Sequence, residues 1–187
     1  MLRPALPIET DRLLLRPFTF ADRDDALAYN SLPDVARYLY TEPYTEATFA
    51  DVLAAKTRRV AIDREGDALD LVVVPREVGR VIGEVTLIWR SEQHRLGEIG
   101  FMIHPDHQGR GYAREAAEVM LRLGFEGLGL HRVVGRLDAR NARSARLLER
   151  LGMRREAHLV ENEWVKGEWA DEVVYALLDR EWRQVHG

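Results

Sequence analysis

The run Glu98-Ile-Gly-Phe-Met-Ile-His-Pro-Asp-His-Gln-Gly-Arg-Gly-Tyr-Ala-Arg114 holds the residues best placed for chemistry in this chain. Its apolar first half ends at Pro105, the loop Gln108–Ala113 follows, and small residues at Ala113, Ala116 and Ala117 begin a helical pattern. A glycine loop feeding a helix N-terminus presents unpaired N–H groups at the positive end of the helix dipole, a setting that suits a phosphate or pyrophosphate. Gly109 and Gly111 carry no side chain to keep an anion off the backbone. Arg110 and Arg114 add positive charge beside it. The plainer reading of the same residues is a tight strand-to-helix turn. The chain has no G-x-x-x-x-G-K-[ST], and no G-x-G-x-x-G follows an early strand, so two common nucleotide loops are set aside.

What the loop does spell is Q-x-x-G-x-A after a strand ending Ile103-His104-Pro105. This resembles the acetyl-CoA pyrophosphate loop of the GNAT superfamily of N-acetyltransferases. The resemblance runs along most of the chain. Thr10-Asp-Arg-Leu-Leu-Leu-Arg-Pro17 is similar to the opening strand of the branch that acetylates ribosomal-protein N-termini, and Asp22 to Asp34 fits its first helix and turn. Asn141-Ala-Arg-Ser-Ala-Arg-Leu-Leu-Glu-Arg-Leu-Gly-Met153 resembles the second family motif, and Arg155-Glu156, Gly167 and Asp171 the C-terminal hairpin of that branch.

The elements that must position these residues can be read from periodicity. Leu13–Arg16 reads as a strand and Phe18–Tyr29 as a helical segment started by Thr19 and Asp22. Further helices are expected over Asp34–Leu39 and Thr45–Val60, with Thr45 as N-cap. Leu69–Val74, Arg80–Trp89 and Gly97–Ile103 read as an antiparallel meander. A helix from Ala113 to about Leu128, a strand Arg132–Leu137 and a short helix Ala142–Leu151 closed by Gly152 come next. Met153–Leu159 and Asp171–Leu178 are the last expected strands, with Glu161–Ala170 joining them. The fold class is α+β (mixed α/β): a central mixed, mostly antiparallel sheet flanked by helices, which is also the fold the resemblance implies. A single domain is expected over 1–187, with its core from about 8 to 181.

Composition agrees with a cytoplasmic enzyme. Apolar residues make up 46% and charged residues 31% of the chain, ordinary globular values. The net charge of −4 argues against nucleic acid as a partner. No apolar run approaches the roughly 20 residues that span a bilayer, so no membrane role is expected, and the start Met-Leu-Arg-Pro has no signal-like apolar stretch. The absence of cysteine excludes disulfides, thiolate metal sites and a Cys nucleophile. No H-x-x-x-H or H-E-x-x-H pattern points to a metal.

The resemblance implies a set of roles. Gln108, Gly109, Arg110, Gly111, Tyr112, Ala113 and Arg114 would hold the pyrophosphate of acetyl-CoA, the co-substrate. Backbone groups of Met102 and Ile103, together with Asn141, would take the pantetheine arm; Asn141 is equally a plain helix N-cap. Gly100 hints at close backbone approach on the same strand. Many family members carry a Tyr acid where this chain has Leu148, which cannot donate a proton, and Ser144 is the substitute donor that the ribosomal-protein branch suggests. Glu163 is the first candidate base and Glu98 the second, on the strand face shared by Gly100 and Met102; both could equally be solvated carboxylates. Tyr38, Tyr40, Tyr44, Trp89, Trp164 and Trp169 are candidates for an aromatic acceptor pocket, and Glu42, Glu46, Glu161 and Glu163 would suit a cationic amine. The expected activity is acetyl transfer to a primary amine, such as a protein N-terminal α-amine, by direct attack. The alternatives are a small-molecule amine acceptor, a non-catalytic acyl-CoA-binding sensor and a structural domain that binds a phosphate ligand. A homodimer is implied by the resemblance alone.

Overall fold

The computed structural model describes residues 1–187. Eight strands form one sheet in the order β1-β2-β3-β4-β5-β6-β8-β7. They are β1 (Ile8–Glu9), β2 (Leu13–Pro17), β3 (Ala68–Pro75), β4 (Gly83–Ser91), β5 (Leu96–Ile103), β6 (Arg132–Asp138), β7 (Arg154–Val165) and β8 (Glu168–Leu178). Every neighbouring pair is antiparallel except β5 and β6. The helices are α1 (Arg23–Asn30), α2 (Pro33–Ala36), α3 (Glu46–Lys56), α4 (Tyr112–Arg122), α5 (Ala142–Arg150) and α6 (Asp179–His186).

The sheet is covered on both faces. On one face Ile99 and Ile103 of β5, Leu137 of β6 and Val173, Tyr175 and Leu177 of β8 pack with α4, α5 and Trp182 of α6 in the larger core. On the other, Val72 and Val74 of β3 meet Tyr29, Phe49 and Leu53 of α1 and α3, with Met102 packed against this smaller cluster. Period-two alternation along β5 therefore sends Glu98, Gly100 and Met102 to the α1–α3 face.

Several elements differ from the sequence expectation. The helix expected over Asp34–Leu39 is only the turn Pro33–Ala36, and the one from Thr45 stops at Lys56. The helix from Tyr112 gives way at Leu123 to a π-helical turn that runs to Gly127. The expected link Glu161–Ala170 is instead the tip of a β-hairpin: Glu163 pairs with Ala170, Trp164 with Trp169 and Val165 with Glu168. The physical reason is a two-residue turn, Lys166 (φ 52°) and Gly167 (φ 83°), whose left-handed pair matches the twist of a hairpin. Glu163 thereby acquires a fixed strand position.

Candidate active site

The site is built where the sheet comes apart. β5 and β6 share only three register positions, Leu96–Arg132, Gly97–Val133 and Glu98–Val134. Beyond Glu98, β5 keeps its partner β4 as far as Ile103, and β6 keeps β8 as far as Asp138. The two strands diverge into a wedge whose inner edges have no strand partner. The carbonyl of Arg95 accepts from His131 and Arg132 at the closed end, so alternation turns the peptide groups of Ile99, Phe101 and Ile103 into the wedge. Of the two residues expected to hold pantetheine through their backbone, Ile103 thus faces the wedge, whereas the peptide groups of Met102 turn to β4. The peptide groups of Phe101 face the wedge beside those of Ile103. Above Gly100 the face is open: an added Cβ would meet only Thr86, at 3.9 Å.

The glycine loop lies at the wide end of the wedge. Gly109 (φ 77°) and Gly111 (φ 85°) are both left-handed, and Gly111 is the N-cap of α4. A Cβ at Gly109 would meet nothing within 4 Å, so the surface there is open to a ligand. The loop is braced by residues that sequence reasoning did not assign. Arg12 donates to the Arg110 carbonyl (2.8 Å) and pairs with Glu115 (2.6 Å), which also accepts from Thr10 Oγ1 at 2.5 Å. Burial pushes the Glu115 carboxyl up, but the donors Thr10 and Arg12 outweigh it and hold it below the ordinary range. The Thr10-x-Arg12 spacing was visible as motif; its partner, 103 residues away, was not.

The expected phosphate ligands separate by position. Gln108 Nε2 donates to the Ile103 carbonyl (2.9 Å), and its Oε1 accepts from Arg143 (2.8 Å), linking β5 to α5 across the wedge mouth. The Arg110 guanidinium lies 3.7 Å from Glu77. Arg114 pairs along α4 with Glu118 at 2.9 Å, so its charge is partly met. Tyr112 is buried in the main core, with its hydroxyl on Glu77, and Ala113 packs against that core.

Asn141 accepts from the Ser144 N–H at 3.1 Å and so caps α5. Ser144 lies one turn before Leu148 on the same helical stripe. Leu148 is only 1% exposed. A Cβ on Gly135 of β6 would come within 2.8 Å of it, so a tyrosine at 148 would be overpacked. The side chain at this position is a core contact here.

On the α1–α3 face, register places Glu163 with Ala170 and, by alternation, with Glu172. Glu172, 2% exposed, accepts from Arg136 (3.0 Å), Asn162 (3.2 Å) and the Tyr40 hydroxyl (3.1 Å). Burial first, and then the charges of Glu172 and Glu163, push the Tyr40 hydroxyl far up, so it stays protonated. Glu98 is held by Arg90 Nε at 2.8 Å. Glu163 has no such cation on it: its hydrogen-bond partner is the Asn162 amide, at 3.4 Å. Of the other aromatic candidates, Trp89 is in the core, Tyr44 packs on Phe49, and Trp164 and Trp169 pair on the opposite face of the hairpin.

The model of the acetyltransferase (GNAT) domain matches residues 12–154. The chain belongs to the GNAT acetyltransferases. It is 33% identical to the uncharacterised N-acetyltransferase YnaD of Bacillus subtilis, over 94% of this chain and 98% of that protein. A GNAT acetyltransferase structure from Bacillus anthracis superposes with a TM-score of 0.82 at 29% identity, covering 93% of this chain and 99% of the other. The spermidine N-acetyltransferase of Vibrio cholerae, solved in complex with CoA and spermine, gives 0.77 at 26%, covering 93% and 99%. As a GNAT enzyme the chain is an acetyl-CoA-dependent N-acetyltransferase, and acetyl-CoA is its co-substrate. The open glycine loop and the unpartnered edge of β5 fit that substrate.

Proposed function

We propose that this N-acetyltransferase acetylates a primary amine by direct attack, with the acceptor entering from the α1–α2 side of the wedge. The observation that carries the reading is the disposition of three side chains that can handle protons: Glu163 and Tyr40 share the α1–α3 face with Glu172, and Ser144 stands at the start of α5. Acetyl-CoA is held by the N–H groups of Gly109–Ala113 and by the inward peptide groups of β5. A wedge N–H from that strand polarises the thioester carbonyl. The amine lone pair attacks the carbonyl carbon, the C–S bond breaks, the amine proton passes to Glu163, and the thiolate takes a proton from Ser144 or from water. An α-amine titrates near 7.7–8.0, so at neutral pH roughly a tenth is already neutral and a carboxylate base suffices. A protein N-terminus is the acceptor favoured by the motifs shared with the ribosomal-protein branch, and a cytoplasmic location goes with it. A homodimer remains part of the proposal by resemblance.

The experiment is release of free thiol from acetyl-CoA with peptides and small amines, for the wild type and Glu163→Gln. Loss of about 10²-fold in kcat with unchanged acetyl-CoA affinity fits a general base. A change confined to the acceptor KM makes Glu163 a binding carboxylate, and a larger kcat loss in Glu98→Gln moves the base to β5.

A further inference from the structure

The acceptor face carries several carboxylates, and nearly all of them are already neutralised by the chain itself. Glu98 is paired with Arg90 (2.8 Å) and Glu172 with Arg136 (3.0 Å). Lower on the same face, Glu84 is met by Lys56 at 2.7 Å and Asp70 by Arg59 at 3.1 Å. Glu46 is taken by Arg23 at 2.9 Å. Glu163 is different: its one polar neighbour is the amide of Asn162, at 3.4 Å, and no cation lies within ion-pair distance. Glu42 and Glu161 are solvent-exposed, where an ammonium–carboxylate pair is worth at most about 1 kcal/mol.

A polyamine presents further ammonium groups beyond the one that reacts, and each loses hydration in the site unless a carboxylate receives it. This face offers one such acid. Arg136 does more than remove the second: its side chain is 46% exposed, so its guanidinium also stands as a like charge against a distal ammonium. We propose that the acceptor is a singly charged amine with an uncharged body, and that Arg136, by neutralising Glu172, is the residue that excludes polyamines. The inference rests on the acetyl-transfer reading and names the substrate class of that same site. It sets this chain apart from its Vibrio cholerae neighbour, solved with spermine.

Hexylamine and 1,6-diaminohexane differ in a second ammonium, and spermidine extends the series. Calorimetric titration of each into the protein saturated with acetyl-CoA is expected to show hexylamine binding at least tenfold more tightly than either polycation. The kcat/KM values should follow the same order, with the difference in KM. Arg136→Met should reduce that preference by tenfold or more, by leaving Glu172 without its counter-charge, while Arg136→Met combined with Glu172→Gln should keep it. If Arg136→Met does not fold, the wild-type comparison still decides. Tighter binding of the diamine or spermidine, or no binding of any of the three, overturns the proposal. Ordered binding without thiol release supports the charge assignment while refuting acetyl transfer.

Discussion

A proton donor is the scarcest group in this site. With Leu148 packed on Gly135, the one hydroxyl on α5 is that of Ser144, whose N–H is already fixed by Asn141. A thiol near pKa 8.5 is a fair leaving group, so the demand on the donor is modest. Ser144→Ala is expected to lower kcat by about ten- to a hundredfold, with the acetyl-CoA dissociation constant nearly unchanged because the glycine loop and β5 supply the binding. Full activity of the variant, read as thiol release at saturating substrates, would make water the proton source. Restoring a donor by Leu148→Tyr is not a usable complement, since the larger ring would have to displace core packing at about 1–3 kcal/mol.

At the scale of elements, the loop before α4 is held by the turn between β1 and β2, through Thr10 and Arg12. The Arg12 guanidinium lies 3.2 Å from where a Gly111 Cβ would be, and it also clamps the Arg110 carbonyl and Glu115. Gly111→Val therefore meets two obstacles: a branched side chain in a left-handed conformation, and a collision with the brace. Acetyl-CoA affinity should fall by at least tenfold while the circular dichroism of the fold is kept; unchanged affinity by calorimetry would reduce the loop to a turn. The hairpin shows the limit of reading elements locally. Lys166-Gly167 is a turn signal, but the charged and aromatic tip around it has no clean alternation, because Trp164 and Trp169 remain exposed together. The β7 bulge between Leu159 and Glu163 interrupts the period as well. Its anchor, Asp171, accepts from the Glu161 N–H and from His158, a contact that no linear pattern announces.

For the molecule as a whole, the meander, the α4 loop and the Asn141 helix were legible in the sequence because each carries its own periodicity and its own cap. The wedge was not. A strand pair that begins parallel and then parts has the same composition as one that stays together, and only the register of Glu98 on Val134 shows where the parting starts. The charge pairs across the acceptor face were equally hidden, since Arg136 and Glu172 come together through β8. The response to acid, by contrast, is set in part by a local cluster at the start of the chain. Burial pushes the Asp22 carboxyl up, but the bidentate Arg16 (2.6 and 2.8 Å) and both donors of Thr19 outweigh it, so its pKa in the fold is lowered. A depressed folded-state value stabilises the protein above the unfolded pKa, near 3.9, and that stabilisation is lost as pH falls through the folded one. Asp22→Asn should thus lower Tm at pH 7 by roughly 3–10 °C. The difference from wild type should shrink as the pH is taken below about 4; a constant difference across that range would show that the carboxylate charge is not the cause.

Mechanically, the sheet is two plates, β1–β5 and β6–β8, hinged at the three rungs between β5 and β6 and tied at the far end by Gln108 and Arg143. A ligand arm laid along the inner edge of β5 supplies rungs that the sheet itself omits. Occupancy is then a property of the whole plate assembly: the binding free energy reappears as resistance to unfolding, about 2.7 kcal/mol at a hundredfold excess of ligand over its Kd. The same gap that admits the substrate makes the empty enzyme the softer of its two forms.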